Sequence, residues 1–327
     1  ISAPTSAGSL TVTPVVTWSS DANGSVTAFT GGGTAPGSNQ LVNITSGTDS
    51  YPYPGRTAKA STRSDCAGTT CTYAEEMTNY ANWWTYYRTR MQTMKTATSL
   101  AFAVLDEKFR IGYYSINNAT GSDFLNIANI DRDSGGQMDL WYRKLFAANP
   151  SGNTPLRPRL ATAGRYYAGK LKGSSVNGVT ANDPMQYACQ RNYTILSTDG
   201  YWNVPSTLPV QINGSTSIGD QDGDTSVARP YFDGNATGNT LADVALYYYN
   251  TDLRTNALDN ATGSLRTDVA SNNVPDGQQR MFTSTLGLGA SGVMQYQSNY
   301  ATARSGDYYD VLKGTTVTSS NAGSGVC

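Results

Sequence analysis

A stripe of apolar residues recurs at three- and four-residue steps after Thr72 and predicts a long helix. Thr72 and Glu75 have the spacing of a capping box, in which the hydroxyl and the carboxylate satisfy backbone N–H groups at the helix start. Since a helix repeats every 3.6 residues, these side chains share one face, and we expect that face to lie in a core. The stripe comprises Trp83, Tyr87, Met91, Met94, Thr98, Ala101, Phe102 and Leu105.

Shorter helical and extended patterns alternate along the rest of the chain. Strands are predicted at about 109–116, 193–196 and 281–289, and helices at about 137–146, 155–171 and 239–249. The alternation favours an α/β class, with a wound sheet between helices, a domain over residues 63–327 and a polar insertion at about 204–238. Residues 1–62 are rich in Ser, Thr, Gly and Pro and predict an irregular arm, with β-prone pieces such as Leu10–Trp18.

The composition favours an extracellular protein. Only 38% of the 327 residues are hydrophobic and 14% are charged, and the net charge of −1 gives no electrostatic reason to expect nucleic acid or an anionic membrane. No apolar run approaches the roughly 20 residues of a transmembrane helix. The opening ISAPTSAGSL lacks the basic start and apolar stretch of a signal peptide. We interpret the chain as a mature or excised segment without membrane insertion.

The chain contains no histidine, and its glutamates are limited to Glu75, Glu76 and Glu107. Catalytic Ser-His-Asp and Cys-His sites, and zinc sites that use histidine, are therefore excluded. Most acidic groups are aspartates, whose hard oxygen ligands suit Ca²⁺ or Mg²⁺ better than transition metals. Pairs of aspartates could in principle support hydrolysis, but we expect a protein that is not an enzyme.

The four cysteines allow two disulfides. Cys66 and Cys71 bound a small loop that a bridge would close. If the remaining two cysteines pair, a bridge between Cys189 and Cys327 would tie the last residue to the domain. The alternative is four free thiols, which an exported protein rarely keeps.

An aspartate follows the predicted strand at 193–196. In open α/β sheets ligands lie at the carboxyl ends of the strands, and Asp199 is expected there. Thr154, expected to cap the helix that starts at Pro155, precedes this strand, and the two side chains could share a divalent cation. Ordinary turn chemistry explains both positions equally well. Tyr201 and Trp202 would then line a contact surface beside the metal.

A second group of carboxylates is Asp220, Asp222 and Asp224, spaced to wrap one Ca²⁺ in a tight loop. It is not an EF-hand, because Thr225 occupies position six and Tyr231 position twelve. A solvated acidic turn is the alternative.

Several segments resemble the PilY family of type IV pilus tip adhesins and biogenesis factors. They are "DCAGTTCTYAEEMTNYANWWTYYRTRM", "NTPLRPRLATAGRYYAG", "YACQRNYTILSTDGYWN", "NTLADVALYYYNTDLR" and "MFTSTLGLG", in order between Asp65 and Leu312. The first 60 or so residues match poorly, and the family's C-terminal β-propeller is absent.

The resemblance implies a von Willebrand A-like, Rossmann-like fold with a mostly parallel sheet and a metal-ion-dependent adhesion site. Thr154 and Asp199 match two of that site's three loops, whereas the Asp-x-Ser-x-Ser loop is missing. The nearest string, Asp21–Ser25, has Asn23 where the first serine belongs.

The function implied by the resemblance is adhesion. The chain would support surface attachment, pilus biogenesis and twitching motility at the cell surface or pilus tip, with minor pilins as partners and a host or abiotic surface as target. The alternative is a structural subunit of an extracellular filament or surface layer, in which the arm at 1–62 adds a strand to a neighbour's sheet.

Overall fold

The computed structural model describes most of the chain after residue 63. The described residues are 17–19, 26–28, 64–186, 190–198, 202–203, 207–223, 237–254, 279–288, 297–299 and 302–313. The chain forms two compact units, Ile1–Thr96 and Ala97–Cys327. The expected end of the arm near residue 62 lies outside the described residues and stays a prediction.

In the first unit, strands β1 (Thr17–Ser19) and β2 (Val26–Ala28) pair antiparallel, and helix α1 spans Tyr73–Tyr86. The predicted capping box is confirmed, since the Glu75 N–H donates to Thr72 Oγ1 at 3.3 Å and the Thr72 N–H donates to Glu75 Oε2 at 2.9 Å.

The prediction of one continuous helix is wrong. Helix α1 ends at Tyr86, and a second helix, α2, begins at Arg90 and ends at Phe102. Thr89 and Gln92 exchange hydrogen bonds of 3.1 Å between side chain and backbone in both directions, so a second capping box starts α2.

The predicted core stripe is also wrong in its first half. Trp83 and Tyr87 are exposed, whereas Phe102 and Leu105 pack against a buried cluster of the second unit.

The first predicted disulfide is present. Cys66 and Cys71 form a bridge, and both side chains are buried. The Glu75 carboxylate accepts a hydrogen bond of 2.8 Å from the Ala67 N–H, which joins the small loop to the first turn of α1. Cys189 and Cys327 lie outside the described residues.

The second unit mixes helices with short pairs of strands, in agreement with the predicted α/β class. In chain order its elements are β3 (Arg110–Tyr114), β4 (Phe124–Asn129), α3 (Gln137–Ala147), α4 (Leu156–Tyr167), β5 (Ser175–Val176), β6 (Val179–Thr180), β7 (Asn192–Thr198), α5 (Leu241–Asn250), β8 (Met281–Gly287) and α6 (Asp307–Lys313). The pairs β3–β4 and β5–β6 are antiparallel, and β7–β8 is parallel. The described strands therefore form small sheets, and none of them forms a larger parallel one.

The largest core lies between α4, α5 and β8. Leu160, Val244, Tyr248 and Met281 are each at most 1% exposed. Gly164 of α4 faces the Tyr248 ring so closely that a Cβ would overlap it. This glycine sets how near the two helices approach.

A second core lies under β3 and β4. Ile111, Met138 and Trp141 are buried there, and the Phe102 ring stacks on Trp141 with a centroid distance of 4.8 Å. Gln137, at the start of α3, donates to the carbonyls of Ile111 and Asn126 at 2.6 and 2.7 Å. These bonds connect the two strands at the point where the β3–β4 register shifts, between Ile111 and Tyr113.

No helix among the described residues is both long enough and apolar enough to span a bilayer.

Candidate functional site

The candidate site begins where the segment before α4 meets the segment after β7. The Thr154 N–H donates a hydrogen bond of 2.8 Å to Oδ1 of Asn203. Asn203 follows the last residue of β7 by five positions. Asn203, in the chain after β7, therefore lies beside Thr154. Asp199 lies outside the described residues, so its pairing with Thr154 stays a prediction.

Thr154 does not cap α4, contrary to the sequence prediction. The N-cap position is held by Pro155, with φ −82° and ψ 59°, and no side chain caps the helix. The Thr154 backbone is held by Asn203 instead, which leaves the start of α4 beside the chain that follows β7.

Trp202 lies against the same end of α4. It is half-buried, and the Arg157 guanidinium carbon is 6.0 Å from the centroid of its ring. At this separation a guanidinium over an indole face gives a weak cation–π attraction. Tyr201, predicted to line the surface with Trp202, lies outside the described residues.

Arg157 also connects this rim to the predicted insertion. Its Nη1 donates to the Asn239 carbonyl at 2.8 Å. Asn239 has a φ of +65°, a left-handed conformation that asparagine tolerates better than most residues. Its Oδ1 accepts hydrogen bonds from Ser217 Oγ at 2.6 Å and from the Gly219 N–H at 3.0 Å. The start of α5 and residues 217–219 are thereby held next to the rim.

A group of three carboxylates lies next to residues 217–219 and the start of α5. Asp220, Asp222 and Asp243 each offer an oxygen, and these oxygens all lie within 4.8 Å of one another. Asp220 is exposed, whereas Asp222 is 2% and Asp243 0% exposed. The structure therefore brings two of the predicted loop residues together and adds a third from α5. Asp224, the last predicted member, lies outside the described residues.

Backbone hydrogen bonds fix the orientation of two of these carboxylates. Asp220 Oδ1 accepts from the Gly223 N–H at 2.7 Å, and Asp243 Oδ1 accepts from the Gln221 N–H at 2.6 Å. Asp243 Oδ2 accepts from the Thr240 N–H at 2.7 Å, which completes the capping box of α5.

Sequence reasoning missed Asp243 as a member of the group. Its signal was the string Thr240-x-x-Asp243, a capping-box pattern at the helix start, which by itself says nothing about the residues 20 positions upstream.

The arrangement offers hard oxygen ligands in a partly buried setting. Three carboxylates at this separation repel one another, and a divalent cation such as Ca²⁺ would relieve that repulsion. The described residues contain one other group of acidic and sulfur side chains, Asp65 with Cys66 and Cys71. Its sulfur atoms form the disulfide and are not available as thiolates.

Comparison with known proteins finds similarity to the Type IV pilus biogenesis factor PilY1 of Pseudomonas aeruginosa. The PAO1 protein is 33% identical over an aligned length of 290 residues, and the match covers 81% of this chain and 24% of that protein. The PAK protein is 34% identical over an aligned length of 285 residues, with 81% of this chain and 24% of that protein covered. The UCBPP-PA14 protein is 29% identical over an aligned length of 252 residues, with 72% of this chain and 21% of that protein covered.

These matches confirm the predicted resemblance to the PilY family. The chain spans about a quarter of the length of the curated relatives it matches. No family model matches the chain, and no solved structure matches it.

Proposed function

We propose that this chain, which is related to the PilY family over most of its length, supports type IV pilus biogenesis as a non-catalytic interaction module. The similarity to pilus biogenesis factors over 81% of the chain carries the proposal. The lack of histidine in the sequence supports a role in binding, because general acid–base catalysis uses histidine most often.

The proposed location is the bacterial cell surface or the pilus tip, with minor pilins as partners and a host or abiotic surface as target. Surface attachment and twitching motility follow from this location. The rim of Thr154, Arg157, Trp202 and Asn203 is the proposed contact surface. Trp and Arg are the residues most enriched at the energetic centres of protein interfaces, which supports this choice.

The proposed fold is von Willebrand A-like. In support, β7 and β8 run parallel, and α4 and α5 pack against them. The position of Thr154 beside Asn203 agrees with an adhesion-type site that uses Thr154 and Asp199 to hold Ca²⁺ or Mg²⁺.

A second proposed ion site is the group formed by Asp220, Asp222 and Asp243, with Asp224 from the same loop. Ca²⁺ takes six to eight oxygen ligands, and each of these four carboxylates can supply one or two of them. We propose that Ca²⁺ bound here fixes the loop against the start of α5.

Calcium is expected to raise the melting temperature of the purified chain, because an ion bound only by the folded state stabilises it. At a free calcium concentration of 100 times Kd the free energy of unfolding would rise by about 2.7 kcal/mol. Scanning calorimetry with and without calcium measures the change. Asp222→Asn should lose most of the increase, whereas Glu107→Gln, a change at an exposed position outside the group, should keep it. An unchanged melting temperature at millimolar calcium contradicts the ion site and leaves the pilus role standing.

Trp202→Ala in the full-length protein is expected to reduce surface attachment several-fold while pili still assemble. The reason is that truncating a central interface tryptophan commonly weakens binding by more than about 2 kcal/mol. Attachment of cells to a surface and electron-microscopic counts of pili measure the two effects. Trp84→Ala, an exposed tryptophan in α1, is the matched control. Equal attachment by the Trp202→Ala strain and its parent would exclude this rim as the contact surface.

A further inference from the structure

Strand β7 has one edge that no other described strand covers. The Thr198 carbonyl accepts a hydrogen bond of 2.9 Å from the Leu288 N–H, so the even-numbered residues of β7 direct their backbone groups toward β8. Since the direction alternates along a strand, Tyr193, Ile195 and Ser197 direct theirs toward the opposite edge.

The hydroxyl of Tyr167 binds the first of these backbone groups. It donates a hydrogen bond of 2.7 Å to the Tyr193 carbonyl, which by the alternation points away from β8. Burial raises the pKa of Tyr167, so the hydroxyl stays protonated at neutral pH. The start of the edge is therefore satisfied by a side chain, and no described strand pairs with the edge from Ile195 onward.

Two of these residues, Tyr193 and Ile195, present an apolar surface together with Leu286 of β8. Tyr193 and Ile195 are each 57% exposed, and Leu286 on β8 is 47% exposed. Asn192 and Leu196, on the opposite face, are buried. Parallel strands are normally buried on both faces, and a pair of strands alone is only marginally stable.

Neither strand carries the features that usually protect a sheet edge. The sequences NYTILST and MFTSTLG contain no charged residue and no proline. Exposed edges are commonly guarded by Lys, by proline or by inward-pointing charges. An uncharged edge next to an apolar face is suited to receive another extended chain.

The segment Leu10–Val16, directly ahead of β1, has a sequence suited to pair with this uncharged edge. Leu10, Val12, Pro14 and Val16 alternate with Thr11, Thr13 and Val15, and none of the seven is charged. Its length equals that of β7, which has seven residues. As an added strand it would place its even-numbered side chains on the face of Tyr193 and Ile195.

Proline fixes the direction of such a strand. In a parallel ladder, residues of the added strand that share a face with Ile195 direct their backbone groups away from β7. Pro14 would then lose no hydrogen bond, because its missing N–H faces solvent. In an antiparallel ladder the same residues would bond to β7, and Pro14 would leave a donor missing.

We propose that the open edge of β7 binds the segment Leu10–Val16 of a second copy of this chain as a parallel strand. The contact goes beyond the proposed pilus role, since each copy of the chain would donate a strand to one copy and accept a strand from another. The backbone supplies affinity, and the apolar face of Tyr193, Ile195 and Leu286 selects for an apolar residue at every second position.

Sedimentation of the full chain and of two lysine variants tests this proposal. The unmodified chain is expected to associate as its concentration rises. Val12→Lys alters the donor and Ile195→Lys the acceptor, and each alone should weaken association at least about tenfold. An equimolar mixture of the two variants should associate again, because it still contains one intact donor and one intact acceptor.

Two controls separate strand addition from nonspecific association. Ser284→Lys, exposed on the same face but on β8, should leave association unchanged. Ile195→Pro removes the edge N–H without touching the ladder to β8 and should abolish association, whereas Ile195→Ala should only weaken it. Circular dichroism of each variant verifies that it is folded. A monomeric unmodified chain, or a mixture of the lysine variants that fails to associate, would overturn the proposal.

Discussion

Gly164→Val is expected to lower the free energy of unfolding by about 3 kcal/mol or more. A Cβ at this position would overlap the ring of Tyr248, which is fully buried between α4 and α5. The ring cannot move away easily, because the Tyr248 hydroxyl donates a hydrogen bond of 2.8 Å to the Val210 carbonyl. Urea denaturation followed by circular dichroism measures the change.

The control for this experiment is Gly287→Ala at the end of β8. A Cβ there meets no atom within 4 Å, so the stability should change by less than about 0.5 kcal/mol. A loss of under about 1 kcal/mol in Gly164→Val would mean that α4 and α5 pack less closely than the structure shows.

Arg254→Met is expected to cost about 3–5 kcal/mol of stability, since it leaves a partly buried carboxylate without its counter-ion. The Arg254 side chain is 3% exposed and contacts Asp183 through Nη2–Oδ1 at 2.5 Å. Its Nε also donates to the Tyr167 carbonyl at 2.8 Å, which ties the end of α4 to residue 254. Arg143→Met, which breaks an exposed ion pair with Asp139, should cost far less, because solvent screens that pair.

The ion pair between Arg254 and Asp183 should make the stability of the fold depend on pH in the acid range. Burial alone would raise the pKa of Asp183, but hydrogen bonds from Arg254 and the Met185 N–H hold it below its ordinary value. A carboxylate whose pKa is lower in the folded state stabilises the fold above the unfolded pKa of about 3.9 and loses that contribution as the pH falls through the folded pKa. Asp183→Asn should therefore lose less stability than the unmodified chain between neutral pH and pH values below about 4. Equal slopes in the two proteins would contradict this assignment.

Local signals in the sequence predicted the elements whose causes are also local. The capping box at Thr72, the start of α5 near Thr240 and the strand that became β7 depend on residues within a few positions of one another. The break between α1 and α2 was equally local, since Thr89 and Gln92 form a capping box that the apolar stripe concealed.

Contacts between distant segments were harder to predict from the sequence. The stripe predicted that Trp83 would be buried, yet periodicity identifies only a shared face and not whether another element covers it. Thr154 was expected to cap α4, but Asn203, 49 positions later, binds its backbone. Asp243 joins Asp220 and Asp222 because tertiary packing brings the start of α5 to the loop. A linear pattern carries no information on such pairings.

Two adjacent phenols on α4 have a consequence for the geometry of the second unit. Tyr166 Oη accepts a hydrogen bond of 3.1 Å from the Ile127 N–H of β4, while the Tyr167 hydroxyl reaches the Tyr193 carbonyl of β7. Consecutive helical residues point about 100° apart, so one helical turn contacts both strand pairs. The two phenols thus act as a rigid spacer between the strand pairs, since each ring holds one strand at a fixed reach from the same helix.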